Sequence, residues 1–257
     1  ARWGTVTNDA ILDIINCTFR EGKAYKAAST FKFGSGIAAN SGDANYYGTY
    51  DVIGLITNII NCTFNDNQQT DIYAGSGNLL INGCNFNHST GIYMNGYSMD
   101  LKNEIYNSIF TDMQPSSLFG SLSVTTGTTF GIFSVTERNT IIKNNTINFT
   151  NDGYGLYLKG NTTVINNTLT KYIQINGNNN TIKNNFINTN DIYAVKITGS
   201  SQNNNITDNN MYSQVFTGDK TVSANNQNNI IKNNTPLTGI YVNLTEDNFN
   251  IYFNNKG

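Results

Sequence analysis

The chain of 257 residues predicts an all-β fold, a parallel β-helix of about ten coils of roughly 22 residues. Three observations carry that prediction. A six-residue pattern of apolar, any, Asn, Asn or Cys, any, apolar recurs along the chain. Its third position is held by residue types that tolerate left-handed backbone. A second apolar segment bearing a tyrosine follows many of the copies.

The copies read Ile14-x-Asn16-Cys17-x-Phe19, Ile59-x-Asn61-Cys62-x-Phe64, Ile81-x-Gly83-Cys84-x-Phe86, Ile105-x-Asn107-Ser108-x-Phe110, Ile142-x-Asn144-Asn145-x-Ile147, Val164-x-Asn166-Asn167-x-Leu169, Ile182-x-Asn184-Asn185-x-Ile187 and Ile206-x-Asp208-Asn209-x-Met211. Two weaker copies follow, at Ile231-x-Asn233-Asn234, whose last apolar residue slips to Leu237 after Pro236, and at Ile251-x-Phe253-Asn254. Successive first positions lie 45, 22, 24, 37, 22, 18, 24, 25 and 20 residues apart. The 45 is read as two units with a degenerate copy around Phe31 to Ala39, and the 37 as one unit with an insertion around Pro115 to Val135. Loops are therefore expected near 20–58 and 111–138. A leucine-rich repeat would share the period, but it needs leucines at fixed stations and a helical segment, and neither is present.

The third motif position predicts a corner. Asn16, Asn61, Asn107, Asn144, Asn166, Asn184 and Asn233 hold it, joined by Gly83 and Asp208. These residue types accept positive φ at the least steric cost. Corners repeating once per coil would stack Asn on Asn, so a ladder of side-chain amides is expected there. The fourth position holds Cys, Ser or Asn, small groups that fit an inward station just past the bend. Cys17, Cys62 and Cys84 all fall on it, an odd count in one register that favours buried free thiols over a disulfide framework.

The second strand is read in Asp71-Ile72-Tyr73, Gly91-Ile92-Tyr93-Met94, Gly155-Leu156-Tyr157-Leu158, Asp191-Ile192-Tyr193-Ala194-Val195 and Gly239-Ile240-Tyr241-Val242. Alternation puts the aliphatics inside and stacks Tyr73, Tyr93, Tyr157, Tyr193 and Tyr241 on the outer face. That column is either a stabilising aromatic stack or a contact strip for sugars or a neighbouring molecule.

Composition narrows the function. Charged residues make up 12% of the chain and the net charge is −2, while 47 Asn supply the polarity. An electrostatic nucleic-acid binder would need a basic field, so no nucleic-acid partner is expected. No apolar run approaches the ~18 residues of a membrane span, and the start at Ala1 reads as a processed or excised piece. One domain over 1–257 is expected, compatible with a segment of a longer protein.

Few groups suit catalysis. The 17 carboxylates include few that repeat in register: Asp71 and Asp191 precede their Ile-Tyr strands, Asp9 and Asp13 lie four apart, and Glu246 and Asp247 are adjacent. Each of these is expected to be a solvated loop or capping residue, and Arg2, Arg20 and Arg138 stand apart from such pairs. His88 lacks a ligand-spaced His or Cys and is expected in a loop. No catalytic, cofactor or metal site is assigned. Lys143, Lys183 and Lys232 share an outward station and read as a solubilising column. Eleven Asn-x-Ser/Thr sequons occur, and turns favour Asn87, Asn148, Asn161, Asn179 and Asn243 as glycosylation sites.

The segments Ile59-Ile60-Asn61-Cys62-Thr63-Phe64-Asn65-Asp66-Asn67, Thr140-Ile141-Ile142-Lys143-Asn144-Asn145-Thr146-Ile147 and Thr181-Ile182-Lys183-Asn184-Asn185-Phe186-Ile187 resemble the repeats of right-handed parallel β-helix surface proteins. They are most similar to adhesin-like and surface-layer proteins of methanogenic archaea. The resemblance implies a non-enzymatic extracellular, cell-surface protein, adhesin-like or part of the envelope, whose partners are cell-surface glycans or neighbouring copies in a homo-oligomer or polymer. Two alternatives belong to other classes: a polysaccharide lyase or hydrolase of the pectin-lyase-like fold, and a carbohydrate-binding module using the tyrosines.

Overall fold

The computed structural model describes residues 10–22, 36–39, 55–68, 70–75, 77–95, 101–115, 128–199, 201–212, 214–217, 228–236 and 241–242. Among them are 27 strands and no helix, in three sheets of nine strands each. Every pairing is parallel, and each strand's neighbours are its counterparts one coil before and one coil after. This is the parallel β-helix the repeat predicts. One coil holds three strands, as in Asn139–Lys143, Thr146–Asn148 and Gly153–Leu158. The six-residue motif spans the first two, and the tyrosine segment forms the third.

Nine coils are described, against the ten motif copies; the tenth, at Ile251, lies outside the described residues. The 45-residue spacing is one coil and not two, because Ile14 pairs directly with Ile59. Ile37–Ala39, expected to mark a degenerate motif, instead supplies that coil's third strand and pairs with Ile72–Ala74. Stacking fixes which strands are neighbours but sets no limit on the chain length between them, so a single coil can carry a long excursion. The 37-residue unit is one coil with an insertion, since Ile105 pairs with Ile142. At the ninth coil it is Pro236, and not Leu237, that takes the motif's last station, beside Met211.

Corners arise where the motif places them. The nine third-position residues, Asn16 through Asn233 with Gly83 and Asp208, have φ between 50° and 67°. Each is exposed to solvent. Two further bends use the same chemistry: Asn161, Asn179, Asn203 and Asn228 precede the first sheet, and Glu21, Asp66, His88 and Asp112 follow the second, all at positive φ.

Between corners the alternation lines the interior with columns. The first sheet contributes Ile59, Ile81, Ile105, Ile142, Val164, Ile182, Ile206 and Ile231, each at most 1% exposed. The second contributes Phe64, Phe86 and Phe110, whose rings stack at 4.7 and 4.4 Å because in-register strands bring like side chains face to face. Below them the column continues as Ile147, Leu169, Ile187 and Met211. Each buried aliphatic contributes about 1.5–3 kcal/mol, so the core's stability is distributed coil by coil.

The expected amide ladder exists, but one residue further on. Among the corner residues Asn16, Asn61, Asn107, Asn144, Asn166, Asn184 and Asn233, only Asn144 and Asn233 reach the preceding corner side chain, at 3.3 and 3.2 Å. The continuous ladder runs through the buried fourth position, Asn145–Asn167–Asn185–Asn209–Asn234, with amide-to-amide bonds of 2.9–3.0 Å at every step. Each backbone N–H there also donates to the next coil's side-chain oxygen. Each side-chain amide also donates back to a carbonyl of the preceding coil, such as Val164 O from Asn185. The physical reason is that the bend takes these peptide groups out of the sheet's own pairing, and inside the core only an inward side chain can satisfy them. A second ladder, Asn180–Asn204–Asn229, repeats the device at the bend before the first sheet.

The cysteines occupy the same station. Cys62 and Cys84 are buried, Cys17 is exposed, and all three are free. The buried-thiol expectation therefore fails at Cys17, which belongs to the first described coil. Cys62 and Cys84 donate to Ile14 O and Ile59 O at 3.4 Å, the role the asparagine amides play lower down.

Candidate functional site

The outer face of the third sheet was the sequence's strongest candidate for contact. Its column runs Tyr73, Tyr93, Phe133, Tyr157, Gln174, Lys196, Phe216, Tyr241. Tyr193 is not in it. The strand begins at Tyr193, with a register irregularity between Tyr193 and Val195, and it is Val195 that pairs with Ile173, so Lys196 takes the outward station beside Gln174. Ile192, expected inside, is 72% exposed. The rings stack at 5.5 Å for Tyr73 on Tyr93 and 4.2 Å for Phe133 on Tyr157. Tyr73 and Tyr93 are nevertheless 6% and 1% exposed, in a second apolar cluster with Phe130 and Phe133. Their ring faces are consumed by packing, so these two tyrosines present little ring surface outward.

Several ionisable groups depart from the solvated positions expected of them. Asp71 is fully buried and accepts bonds from Asn67 Nδ2 at 2.8 Å, from the Thr90 and Gly91 N–H groups at 3.1 and 2.6 Å, and from the Ser89 hydroxyl. Burial pushes its carboxyl up from 3.8 to about 6, against the pull of those donors. It is a cap in an interior setting, tying one coil's bend to the next. Arg138 is buried, and its guanidinium donates to the Gly77 and Gly75 carbonyls at 3.2 and 3.1 Å. Asp191 lies 3.6 Å from the buried Lys171 ammonium. Burial also raises the Cys84 thiol to about 11.

At the bend after the second sheet, His88 sits between Asp66 and Asp112 of the adjacent coils. Its Nδ1 is 2.6 Å from Asp112 Oδ2, and its Nε2 is 3.9 Å from Asp66 Oδ1. The hydrogen bond to Asp112 raises its pKa, with partial opposition from desolvation. Sequence spacing alone could not find this row, because its members are 22 and 24 residues apart and meet only through stacking. Among the described residues, no group of three or more His, Cys, Asp or Glu is arranged to hold a metal ion.

Of the favoured sequons, Asn87 and Asn148 are exposed and lie on strands, Asn161 and Asn179 form a corner column, and Asn243 lies outside the described residues. Asn161 Nδ2 donates to Glu137 O at 2.6 Å and Asn179 Nδ2 to Asn161 Oδ1 at 3.2 Å. Asn87 and Asn148 instead use only their oxygens, as acceptors from Thr111 and Thr170. Lys143, Lys183 and Lys232 are all exposed, and Lys183 lies 3.7 Å from Asp208.

Beside the Asn161–Asn179 column a polar groove of about 330 Å³ crosses successive coils, bordered by Glu137, Lys159, Asn176 and Asn178.

A family model described as right handed beta helix region matches residues 5–236. Neither a curated protein nor a solved structure matches. The stacked parallel sheets and a family match over most of its length agree, and the chain belongs to the right-handed β-helix family.

Proposed function

We propose that this chain is a non-enzymatic element of an extracellular cell surface, adhesin-like or structural, that meets cell-surface glycans or further copies of itself. The observation that carries the reading is where the ionisable groups lie. Asp71 and Arg138 face inward and are engaged by backbone groups, while the outer stations repeat Asn, Thr and Lys coil after coil. A neutral, repeating exterior on a rod with a distributed core suits a scaffold that presents or stacks. The likeness of its repeats to archaeal adhesin-like and surface-layer proteins supports the same reading. In that setting Asn87 and Asn148, whose amide nitrogens bond to none of the described residues, are the described sequons best placed for a glycan.

A hydrolytic reading has one observation in its favour, the exposed Asp66–His88–Asp112 row. Two measurements on purified protein separate the readings. Sedimentation with electron microscopy is expected to show association, and incubation with pectic, alginate and host glycans is expected to release no unsaturated or reducing ends. Released ends abolished by His88→Ala would overturn the proposal in favour of hydrolysis, and a strictly monomeric species that retains no glycan would overturn it outright.

A further inference from the structure

The groove at the corner between the third and first sheets is lined by polar side chains and glycines from successive coils. Its floor is bare backbone. At Gly177 a Cβ would stand 1.2 Å from the Lys159 carbonyl oxygen, and at Gly160 it would stand 3.0 Å from the Asn178 carbonyl oxygen. Any other residue at 177 would collide with the Lys159 backbone and force the coils apart, so glycine lets the two coils that border the groove stack closely. Its rim comes from successive coils, with Glu137 in one, Lys159 and Asn161 in the next, and Asn176, Asn178 and Asn179 in the one after.

The rim side chains are fixed by one another. Asn161 is held by Glu137 O and Asn179 by Asn161; Asn176 donates to the Tyr157 hydroxyl at 2.8 Å. Asn178 accepts the Gln202 N–H on its oxygen at 2.7 Å. That leaves the Asn178 amide N–H pair and the Asn179 amide oxygen with no partner among the described residues, both on exposed side chains. Glu137 and Lys159 stand 3.9 Å apart and nearly cancel in charge. The rim therefore offers preset donors and acceptors in alternation, without net charge and without apolar walls.

Each class of ligand makes a different demand. A nucleic acid or an acidic glycan needs uncompensated cations, and an apolar ligand needs hydrophobic walls. A neutral sugar needs donors and acceptors in combination, because every hydroxyl is both. Coils repeat every ~4.8 Å, close to the advance of one pyranose ring in an extended chain. We propose that this groove binds a neutral oligosaccharide laid along the helix axis, with Asn178 donating to and Asn179 and Glu137 accepting from its hydroxyls. The proposal rests on the glycan-contact reading above and supplies its site.

The test titrates intact protein with cellotetraose and chitotetraose, and with trigalacturonate for comparison, read by calorimetry and by chemical-shift changes. At least one neutral tetrasaccharide is expected to bind saturably. Asn178→Asp keeps the oxygen that the Gln202 N–H needs and removes the free donors, and it should weaken binding about tenfold, roughly 1.4 kcal/mol, with melting unchanged. Glu137→Ala should weaken it comparably. Binding unmoved by both variants would overturn the groove while leaving glycan contact elsewhere standing, and preferred binding of trigalacturonate would overturn the neutral class. Absence of saturable binding to all three sugars would overturn the groove and leave self-association, measured separately by sedimentation, as the surviving arm of the function.

Discussion

Adjacent asparagines in one motif should respond very unequally to the same substitution. Asn184 is the exposed corner residue at φ 54°, and Asn185 is the buried rung. Asn185 Oδ1 accepts from the Asn167 N–H at 2.9 Å and from Asn167 Nδ2 at 3.0 Å, while its own amide reaches Val164 O, Lys183 O and Asn209 Oδ1, each at 3.0 Å. Asn185→Ala leaves the Asn167 N–H buried without that acceptor and takes from Val164 O its side-chain donor. An orphaned buried group costs about 1–3 kcal/mol, and two of them with the lost packing give roughly 3–4 kcal/mol. At about 2–4 °C per kcal/mol for chains of this size, the melting temperature should fall by about 10 °C. Asn184→Ala loses only left-handed tolerance, about 1 kcal/mol or roughly 3 °C, and Asn184→Gly should be nearly neutral. Circular dichroism melts of the three variants decide it. If Asn185→Ala melts within 2 °C of the parent, or no lower than Asn184→Ala, the buried ladder is not what satisfies the bends.

Asp71 ties stability to pH. Its folded pKa, about 6, lies above the ordinary 3.8, so between those values the folded state holds the extra proton. Its contribution is therefore greatest in acid and is lost as pH rises from about 4 to about 6, on the order of 3 kcal/mol in all. Melting from pH 4 to 7 of parent and Asp71→Asn should show that slope only in the parent; equal slopes would refute it. Thiol labelling should divide the cysteines, with Cys17 reacting in the native protein and Cys62 and Cys84 only on unfolding. Three equally reactive thiols would contradict the buried station assigned to the latter two.

Much of the fold was legible because its unit is local. A motif that names its corner by Asn, Gly or Asp and its inward stations by Ile and Phe predicts the bend at Asn144 as readily as the burial of Ile142 and Ile147. What the sequence hides is anything fixed between coils. The pairing of Ile14 with Ile59 depends on stacking and not on residue count, so a long first coil looked like two. Tyr193 copies the Ile-Tyr signature, yet the register shifts between Tyr193 and Val195 and Lys196 takes the column's place. The ladder was assigned to the wrong neighbour because both positions carry Asn: residue type alone does not say whether an amide faces water or the peptide groups that a bend strands inside. The sugar groove, the Asp66–His88–Asp112 row and the burial of Asp71 are likewise properties of adjacent coils, which local patterning does not report.

The rungs of both buried ladders point the same way. Each amide donates toward the coil that follows it in the chain, from Asn145 to Asn234 in one ladder and from Asn180 to Asn229 in the other. Their dipoles therefore add, with the positive end toward the C-terminal coils. The column is also directional in time. A chain emerging from the ribosome lays down each donor before its acceptor exists, so every finished coil presents a waiting N–H that recruits the next. From the coil of Asn145 onward each rung thus offers the same donor to the coil that stacks on it.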